Sequence, residues 1–465
     1  MLGEFGQFLS LPNISANHDD MLANASWIEN FIAARGFTSR IVTAGRAPYV
    51  LAERHQSADG PTILIYAHFD GQPVDAANWT SPPFEPTLKA AETVIDWESA
   101  LAGDLSPEWR LYARSAGDDK APVIGLMHAL EALEEADIPV AVNIKLILDG
   151  EEEAGSPTLA RILEDHADWL DADLMLFCDG PMHQSRRRQL VFGVRGSVTV
   201  HLTTYGPKRP LHSGHYGNWA PHPTDALMRL LTTLKDETGA IRVPGYLDGV
   251  RAVTIAERDA IAAMPRIDGA LREELALGRL EGGGKRLEEL VMQPAIIVKG
   301  FSGGGVGGQS RNIIVPSSTA SLNLRLVPDQ TPAGVRAALE DHFENEGFYI
   351  THDEPSDEER RQHPKVLEVT WAGGYPAFRS PIDGAEAMEL TRILTQLDGA
   401  SPLLTPTMGG SLPIYLFDEA LAIPIVILPI ANHDNNQHGR DENLRLENLF
   451  DAVAVYAAVV SQLGR

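Results

Sequence analysis

The sequence predicts an α/β protein built on an open sheet, with a separate α+β domain inserted into it. Short apolar runs at residues 62–67, 144–148 and 174–178 are typical of buried strands, and stretches with helical spacing lie between them. Around residues 197–206 and 318–327, apolar and polar residues alternate as in half-exposed antiparallel strands. The α/β pattern then returns towards the end of the chain. An inserted α+β domain accounts for this order of elements.

The composition narrows the class of protein. The chain has 465 residues, of which 44% are hydrophobic, so it can bury a substantial core. Its formal net charge of −26 disfavours nucleic acid as a partner and suits a divalent cation. Cys178 is the single cysteine, which excludes an intrachain disulfide. Because we find no secretory signal and no apolar run long enough to span a bilayer, we expect a cytoplasmic protein without a membrane partner.

Three adjacent glutamates follow the second apolar run. Side chains alternate along an extended chain, so Glu151, Glu152 and Glu153 point in different directions. One of them could bind an ion while its neighbour acts as a base. Taken alone, the run is more simply explained as a solvated acidic turn. The choice between these interpretations depends on the rest of the chain.

Other acidic and imidazole side chains occupy comparable positions. His68 and Asp70 follow the first apolar run, and Asp179 follows the third. Asp118 and Asp119 stand before a helical pattern, where capping alone would account for one of them. Ligands of open α/β sheets bind at the carboxyl ends of the strands, so we expect these side chains to share one edge.

Five of the candidates form a donor set suited to a metal. They mix nitrogen and oxygen donors, and they are His68, Asp118, Glu153, Asp179 and His438. Such a mixture suits zinc, and it also accepts manganese or cobalt.

The motifs around these residues resemble those of the di-zinc metallopeptidase family that includes carnosinase-type dipeptidases, aminoacylases and glutamate carboxypeptidases. In chain order they are AHFD at 67–70, SAGDDKA at 115–121, DGEEEAGS at 149–156, FCDG at 177–180, LHSGHYG at 211–217 and QHGRDEN at 437–443. The resemblance covers nearly the whole chain, and several short motifs in a fixed order are far more specific than any one of them.

The resemblance implies a domain organisation. It predicts an open mixed-sheet catalytic domain of the phosphorylase/hydrolase-like type at residues 1–196 and 376–465. Residues 197–375 would form the inserted α+β lid or dimerisation domain, through which the protein would be a homodimer. The connection from about residue 86 to residue 110 has no assigned structure.

The resemblance also implies the roles of the metal ligands. His68 and Asp179 would hold one divalent cation, most simply zinc, and Glu153 and His438 would hold the second. Asp118 would bridge the two cations.

Further roles follow from the same resemblance. Glu152 would be the general base that takes a proton from a metal-bridging water, and Asp70 would orient His68. His212 would reach the active centre of the other subunit and donate to the oxyanion.

The expected substrate contacts come from two further segments. Arg325 would bind the substrate's free carboxylate, a role suited to its planar donor fork. Gly410 and Ser411 would form a loop that contacts the substrate.

The predicted activity is metal-dependent hydrolysis of amide bonds in dipeptides or short peptides with a free C-terminal carboxylate. An N-acyl-amino-acid amidohydrolase is the alternative, and a catalytically silent relative that only binds a ligand is a second one. The glycine-rich segments at 281–285 and 301–310 do not fit a P-loop, and flexible loops explain them better. A serine hydrolase is disfavoured because the sequence has no G-x-S-x-G elbow.

Overall fold

The computed structural model describes residues 1–56 and 60–464, and the elements named below all lie within them. The strands are β1 (Thr38–Thr43), β2 (Pro48–Arg54), β3 (Thr62–His68), β4 (Thr87–Ala90), β5 (Thr93–Val94), β6 (Arg110–Tyr112), β7 (Asn143–Asp149), β8 (Leu174–Phe177), β9 (Gln189–Val191), β10 (Gly193–Val194), β11 (Gly196–Tyr205), β12 (Leu211–His212), β13 (Ala295–Ser302), β14 (Ile313–Ile314), β15 (Ser317–Leu326), β16 (Tyr349–Thr351), β17 (Val366–Tyr375), β18 (Phe378–Arg379), β19 (Leu403–Thr405), β20 (Ile425–Ile427) and β21 (Asn443–Arg445). The α-helices are α1 (Leu2–Leu9), α2 (His18–Ala33), α3 (Trp97–Ala102), α4 (Ala121–Glu135), α5 (Leu159–Leu170), α6 (Ser213–Tyr216), α7 (Pro223–Thr233), α8 (Ile255–Ala263), α9 (Asp268–Glu274), α10 (Leu287–Val291), α11 (Pro332–Asn345), α12 (Asp357–Gln362), α13 (Ala385–Asp398), α14 (Ile414–Leu421) and α15 (Leu446–Gln462).

The first sheet has eight strands in the order β1-β2-β7-β3-β8-β20-β9-β19. At its centre β3 pairs in parallel with both β7 and β8, and β8 pairs in parallel with β20. The β1–β2, β2–β7 and β20–β9 pairs are antiparallel, so the sheet is mixed. The predicted open mixed α/β sheet is confirmed.

Helices cover both faces of this sheet, which explains its continuous apolar strands. In β3, the side chains of Ile63, Ile65 and Ala67 belong to the core that includes α4 and α15. Leu64 and Tyr66 point to the opposite face, where α5 and α14 pack. A strand that is buried on both faces carries apolar side chains on both of them. Its sequence is therefore a continuous apolar run rather than an alternation of apolar and polar residues.

The second sheet has five strands in the order β13-β15-β11-β17-β16. Burial alternates residue by residue along β11, and α7 and α11 pack on the buried face. All five strands lie in sequence between β9 and β19 of the first sheet, so this α+β unit is inserted, as predicted for the fold class. The division at residues 197 and 375 stays a prediction.

The connection before residue 110 is structured. It contains β4, β5 and α3, and it leads into β6. These strands form a small sheet in the order β21-β6-β4-β5. β21 begins at Asn443, the last residue of the QHGRDEN motif, so the pairing of β6 with β21 ties the chain before Asp118 to the chain after His438.

One segment, residues 251–293, returns from the second sheet to the first. Ala256 and Ala260 of α8 pack against the core of the first sheet. Glu257 Oε1 lies 2.8 Å from Arg379 Nε in a buried ion pair. Residues 281–285 lie in a loop, as the sequence predicted, and α10 begins two residues after them.

The aspartates near the starts of α2 and α4 do not cap these helices. α2 begins at His18, so Asp19 and Asp20 lie in its first turn, where negative charge still favours the helix N-terminus. α4 begins after Lys120, and neither Asp118 nor Asp119 caps it. Capping therefore does not account for the Asp118 carboxylate. Within residues 1–56 and 60–464, none of the helices is long and apolar enough to cross a lipid bilayer.

Gly150 is required where β7 ends and the three glutamates begin. A Cβ atom at this position would lie 2.3 Å from the Pro48 carbonyl oxygen and 2.9 Å from Phe69 Cζ. We expect Gly150→Ala to lower the free energy of unfolding by about 1–3 kcal/mol, because the crowded backbone must move. Urea denaturation followed by tryptophan fluorescence measures the change.

Gly373→Ala is the matched control, because a Cβ atom there has no neighbour within 4 Å. It should leave the unfolding midpoint nearly unchanged. Equal midpoints for the two variants would contradict the close approach at Gly150.

Candidate functional site

The candidate site lies at the carboxyl ends of three neighbouring strands. His68 is the last residue of β3, and it is paired in register with Asp149, the last residue of β7. Asp179 follows β8 by two residues. The parallel direction of the three strands brings these ends to one edge of the sheet.

Two groups of imidazole and carboxylate side chains converge at this edge. The first contains His68, Asp118 and Asp179, and the second contains Asp118, Glu153 and His438. In each group one ligand atom per residue lies within 4.8 Å of the others. Asp118 belongs to both groups, so the five predicted ligands form one cluster with a shared carboxylate.

The distances within the cluster are short. His68 Nε2 lies 2.8 Å from Asp118 Oδ1 and 4.0 Å from Asp179 Oδ2. His438 Nε2 lies 3.2 Å from both Asp118 Oδ2 and Glu153 Oε2. Each imidazole therefore faces a different oxygen of Asp118, as a carboxylate that bridges two sites requires.

The donor set fits a pair of divalent cations. Each group combines one imidazole with two carboxylates, a composition that zinc accepts. Asp118 Oδ2 and Glu153 Oε1 are buried and make no hydrogen bond within the described chain. A buried carboxylate oxygen without a donor is costly, and a cation would remove that cost.

The carboxylates of the site repel one another. Burial and the neighbouring Asp118 raise the pKa of Glu153 and of Asp179 to about 7 each. Burial also raises the pKa of Glu152 well above its usual value; the positive charge of His68 opposes this rise, and Asp179 adds to it. The edge of the sheet therefore holds a concentration of negative charge that favours a cation.

The pKa values of the two imidazoles are also raised, but for an imidazole this rise favours the charged form. The close contact with the Asp118 carboxylate raises the pKa of His438. Burial lowers the pKa of His68, but Asp118 and Asp70 outweigh it and hold the pKa well above its usual value. Burial likewise raises the pKa of Asp118, yet the two histidines bring it below its ordinary range. Asp118 is thus the carboxylate that stays ionised.

Asp70 supports both His68 and the glutamate turn. Its Oδ1 lies 3.3 Å from His68 Nδ1, on the side of the ring away from Asp118. The same carboxylate accepts the backbone N–H groups of Glu152 at 3.0 Å and Glu153 at 3.1 Å. Asp70 therefore fixes the position of three neighbouring side chains at once.

Glu151 is turned away from the cluster. Its Oε1 accepts the Tyr49 hydroxyl at 3.0 Å and the Thr158 backbone N–H at 2.8 Å. Both contacts lie beneath the turn, and Glu151 is buried among them. This orientation agrees with the assignment of the site roles to Glu152 and Glu153 rather than to Glu151.

Glu442 is a buried residue that the sequence analysis missed. Its Oε1 accepts the backbone N–H groups of Gly117 and Asp118, each at 3.0 Å. Its Oε2 accepts from Arg114 Nη1 at 2.7 Å and from the Ser115 backbone N–H at 3.1 Å. Its position four residues after His438, within QHGRDEN, is the only sequence signal for this role.

Gln72 was also missed. Its Nε2 donates to Glu153 Oε2 at 2.8 Å, the oxygen that faces His438. Its proximity to Asp70 in the sequence was the available signal. Glutamine is a common surface residue, however, so its presence after a loop glycine does not by itself indicate a contact with the site.

The cluster opens into a cavity of about 760 Å³. The residues that line it include Glu152, Arg325, Gly410 and Ser411. Arg325 Nη1 donates to Ser411 Oγ at 2.7 Å, and Ser411 Oγ donates to the Arg195 carbonyl at the same distance. The predicted substrate-binding residues therefore share one cavity with the predicted base.

His212 is the candidate that this chain does not bring to the cluster. It is exposed, and its Nδ1 accepts the Gly214 backbone N–H at 3.1 Å. It does not line the cavity that contains Glu152. The prediction that it acts across a subunit interface stays a prediction.

The fold is similar to that of a solved peptidase. The crystal structure of an M20 family metallo-carboxypeptidase from Sulfolobus solfataricus matches this chain with a TM-score of 0.81 and 26% sequence identity. The match covers 99% of this chain and 98% of that one.

Sequence comparison finds dipeptidases among the relatives. A Cys-Gly metallodipeptidase from Schizosaccharomyces pombe is 24% identical over 423 residues, which are 90% of this chain and 83% of the relative. The human Beta-Ala-His dipeptidase is 25% identical over 430 residues, which are 90% of this chain and 78% of the relative.

A family profile gives the most direct assignment. Residues 64–462, well over half of the chain, match the profile of peptidase family M20/M25/M40. The match begins in β3 and ends at the last residue of α15, so it includes all five members of the cluster. The resemblance to a metallopeptidase family is confirmed, and this chain belongs to peptidase family M20/M25/M40.

Proposed function

We propose that this chain is a metal-dependent dipeptidase, which hydrolyses the amide bond of dipeptides or short peptides with a free C-terminal carboxylate. The observation that carries the proposal is Asp118, which two groups of imidazole and carboxylate donors share. Glu152 lines the same cavity as Asp118 and His438. The two curated relatives described above are dipeptidases, which supports a small peptide as the substrate.

Two cations would be held by side chains at the end of the sheet. His68 and Asp179 would hold one, Glu153 and His438 would hold the other, and Asp118 would bridge them. Zinc fits these donors best, and manganese or cobalt would also be accepted. Such cations would polarise the scissile carbonyl and acidify a water molecule.

Glu152 is the proposed general base. Its carboxylate would take the proton of the attacking water and pass it to the leaving amine. The burial that raises the pKa of Glu152 supports this role, because a carboxyl group with a raised pKa holds a proton more readily near neutral pH. Asp70 would fix the base through the Glu152 backbone N–H and would orient His68.

Arg325 is the proposed anchor for the substrate's carboxylate. A guanidinium group binds a carboxylate through two parallel hydrogen bonds, and Ser411 would hold Arg325 in place for this contact. Gly410 borders open space, since a Cβ atom there would have no neighbour within 4 Å. The loop would therefore admit the end of the peptide.

The protein would act as a homodimer through residues 197–375. His212 of one protomer would donate a hydrogen bond to the oxyanion in the other. Tyr216 and Trp219 follow His212 closely and are 36% and 78% exposed. Exposed aromatic side chains beside an outward-facing histidine favour an interface there.

We expect metal-loaded protein to hydrolyse unblocked dipeptides, and prolonged chelation followed by dialysis to abolish the activity. Parallel assays with dipeptides and N-acyl amino acids measure this by release of the free amino acid. Hydrolysis of the acyl compounds alone would identify an amidohydrolase instead. Binding of peptides without hydrolysis would identify a catalytically silent relative.

We expect Glu152→Gln to lower kcat by about 10²–10⁴-fold, because the base can no longer accept a proton. Metal analysis should still find two cations per chain. Glu153→Gln is the contrasting variant, and it should lose metal. If Glu152→Gln loses metal in the same way, the roles of the two glutamates are reversed.

We expect mixed dimers of His212→Ala and Glu152→Ala to regain activity, because one of their two sites has both intact residues. Random exchange should restore about a quarter of the wild-type activity, since half of the dimers are mixed and each has one complete site. Differently tagged chains make it possible to verify the exchange. Inactive mixed dimers would contradict a role for His212 across the interface.

A further inference from the structure

The segment at residues 251–293 supplies one wall of the cavity. Ile267, Leu287, Glu288 and Val291 line the same space as Glu152. Three of these four side chains are apolar, so Glu288 brings the segment's only charge among them. None of the motifs recognised in the sequence includes it.

Glu288 faces His183, which follows β8 closely. Glu288 Oε1 lies 3.9 Å from His183 Nε2, which is too long for a hydrogen bond. Neither atom has a hydrogen-bond partner among the described residues. The two side chains are only 11% and 7% exposed. Two nearly buried polar atoms therefore face each other across the cavity wall without a bond.

The other oxygen of Glu288 is occupied. Arg286 Nε donates to Glu288 Oε2 at 3.1 Å, while its terminal nitrogens donate to the backbone carbonyls of Ile261, Met264 and Pro265. Arg286 is thus fully engaged in holding the segment together. It orients Glu288 and leaves Oε1 available.

Glu288 carries a negative charge at neutral pH. Burial raises its pKa, but the contacts with His183 and Arg286 outweigh burial and bring the pKa below its usual value. The Ser185 backbone N–H donates to His183 Nδ1 at 3.1 Å, so Nε2 is the ring nitrogen that can donate towards Glu288. The Glu288 carboxylate, supported by His183, forms a site for a cationic group.

We propose that Glu288, oriented by Arg286 and His183, binds a positively charged group on the acyl-side residue of the peptide. This inference rests on the proposed function. Arg325 would hold the C-terminal carboxylate and the cluster around Asp118 would hold the scissile carbonyl, so the remaining charged group belongs to the acyl side. An anionic and a cationic side chain in one cavity match a zwitterionic substrate.

Two sources can supply the cation. It is either the α-ammonium group of an unblocked dipeptide or the ammonium or guanidinium group of a basic side chain. Three substrates separate them. Alanyl-alanine carries only the α-ammonium, N-acetyl-lysyl-alanine carries only the side-chain ammonium, and N-acetyl-alanyl-alanine carries neither.

The test compares metal-loaded wild-type protein with Glu288→Gln on these substrates. We expect kcat/KM to fall by about tenfold or more for the substrate whose cation Glu288 binds, because a charge-assisted hydrogen bond is lost. The value for N-acetyl-alanyl-alanine should be unchanged. Selective loss with alanyl-alanine identifies the α-ammonium, and selective loss with N-acetyl-lysyl-alanine identifies the side chain.

A structural defect would lower kcat/KM for all three substrates in parallel. The ratio of kcat/KM between two substrates is therefore the decisive quantity. Glu288→Asp should retain part of the selectivity, because the charge remains on a shorter side chain. Glu273→Gln is the control, since Glu273 is exposed on the same segment and does not line the cavity. It should behave as wild type.

If the wild-type protein is active and Glu288→Gln leaves the ratios of kcat/KM between the substrates unchanged, this inference is overturned. The proposed function is then left intact. A wild-type protein that hydrolyses none of the peptides would overturn both. The two failures are therefore distinguishable.

Discussion

The structure depends on burying several carboxylates at one edge of a sheet. Parallel β3, β7 and β8 end together, so the side chains that follow them are forced into the same small volume. Asp118 lies between two imidazoles there, with Glu153 and Asp179 on either side. Unpaired, such groups would repel one another and resist desolvation. Asp70 and Glu442 hold these charges in place through hydrogen bonds to the backbone of Glu153 and Asp118.

The buried carboxylates divide into two kinds. Asp70 and Glu442 are surrounded by backbone N–H donors, and Glu151 accepts from a hydroxyl and an amide, so these three serve the scaffold. Asp118 and Glu153 each keep an oxygen that makes no hydrogen bond among the described residues. A fully bonded carboxylate has nothing left to offer a ligand, whereas the others do. Hydrogen bonding thus separates supporting residues from candidate ligands within one acidic patch.

Much of the fold and of the candidate cluster could be predicted from the sequence, because both depend on local patterns. The apolar run at 62–67 and the alternation at 318–327 each signal a strand with a definite environment. Residues 251–293 gave no such signal, since their packing depends on partners far away in the chain, such as Arg379 for Glu257. The roles of Glu442 and Glu288 were missed for the same reason. The hydrogen-bond and ion-pair partners of a carboxylate can be identified only in the folded chain.

The return of residues 251–293 to the first sheet also affects how the cavity is assembled. Arg325 belongs to β15 of the second sheet, whereas Glu288 belongs to a segment whose helix α8 packs against the core of the first sheet. Two parts of the cavity lining are therefore built on different elements of the fold. A hinge movement between the two sheets would change the span from Arg325 to Glu288 and leave the five clustered side chains undisturbed. The length of peptide that fits could then be adjusted without altering the reacting centre.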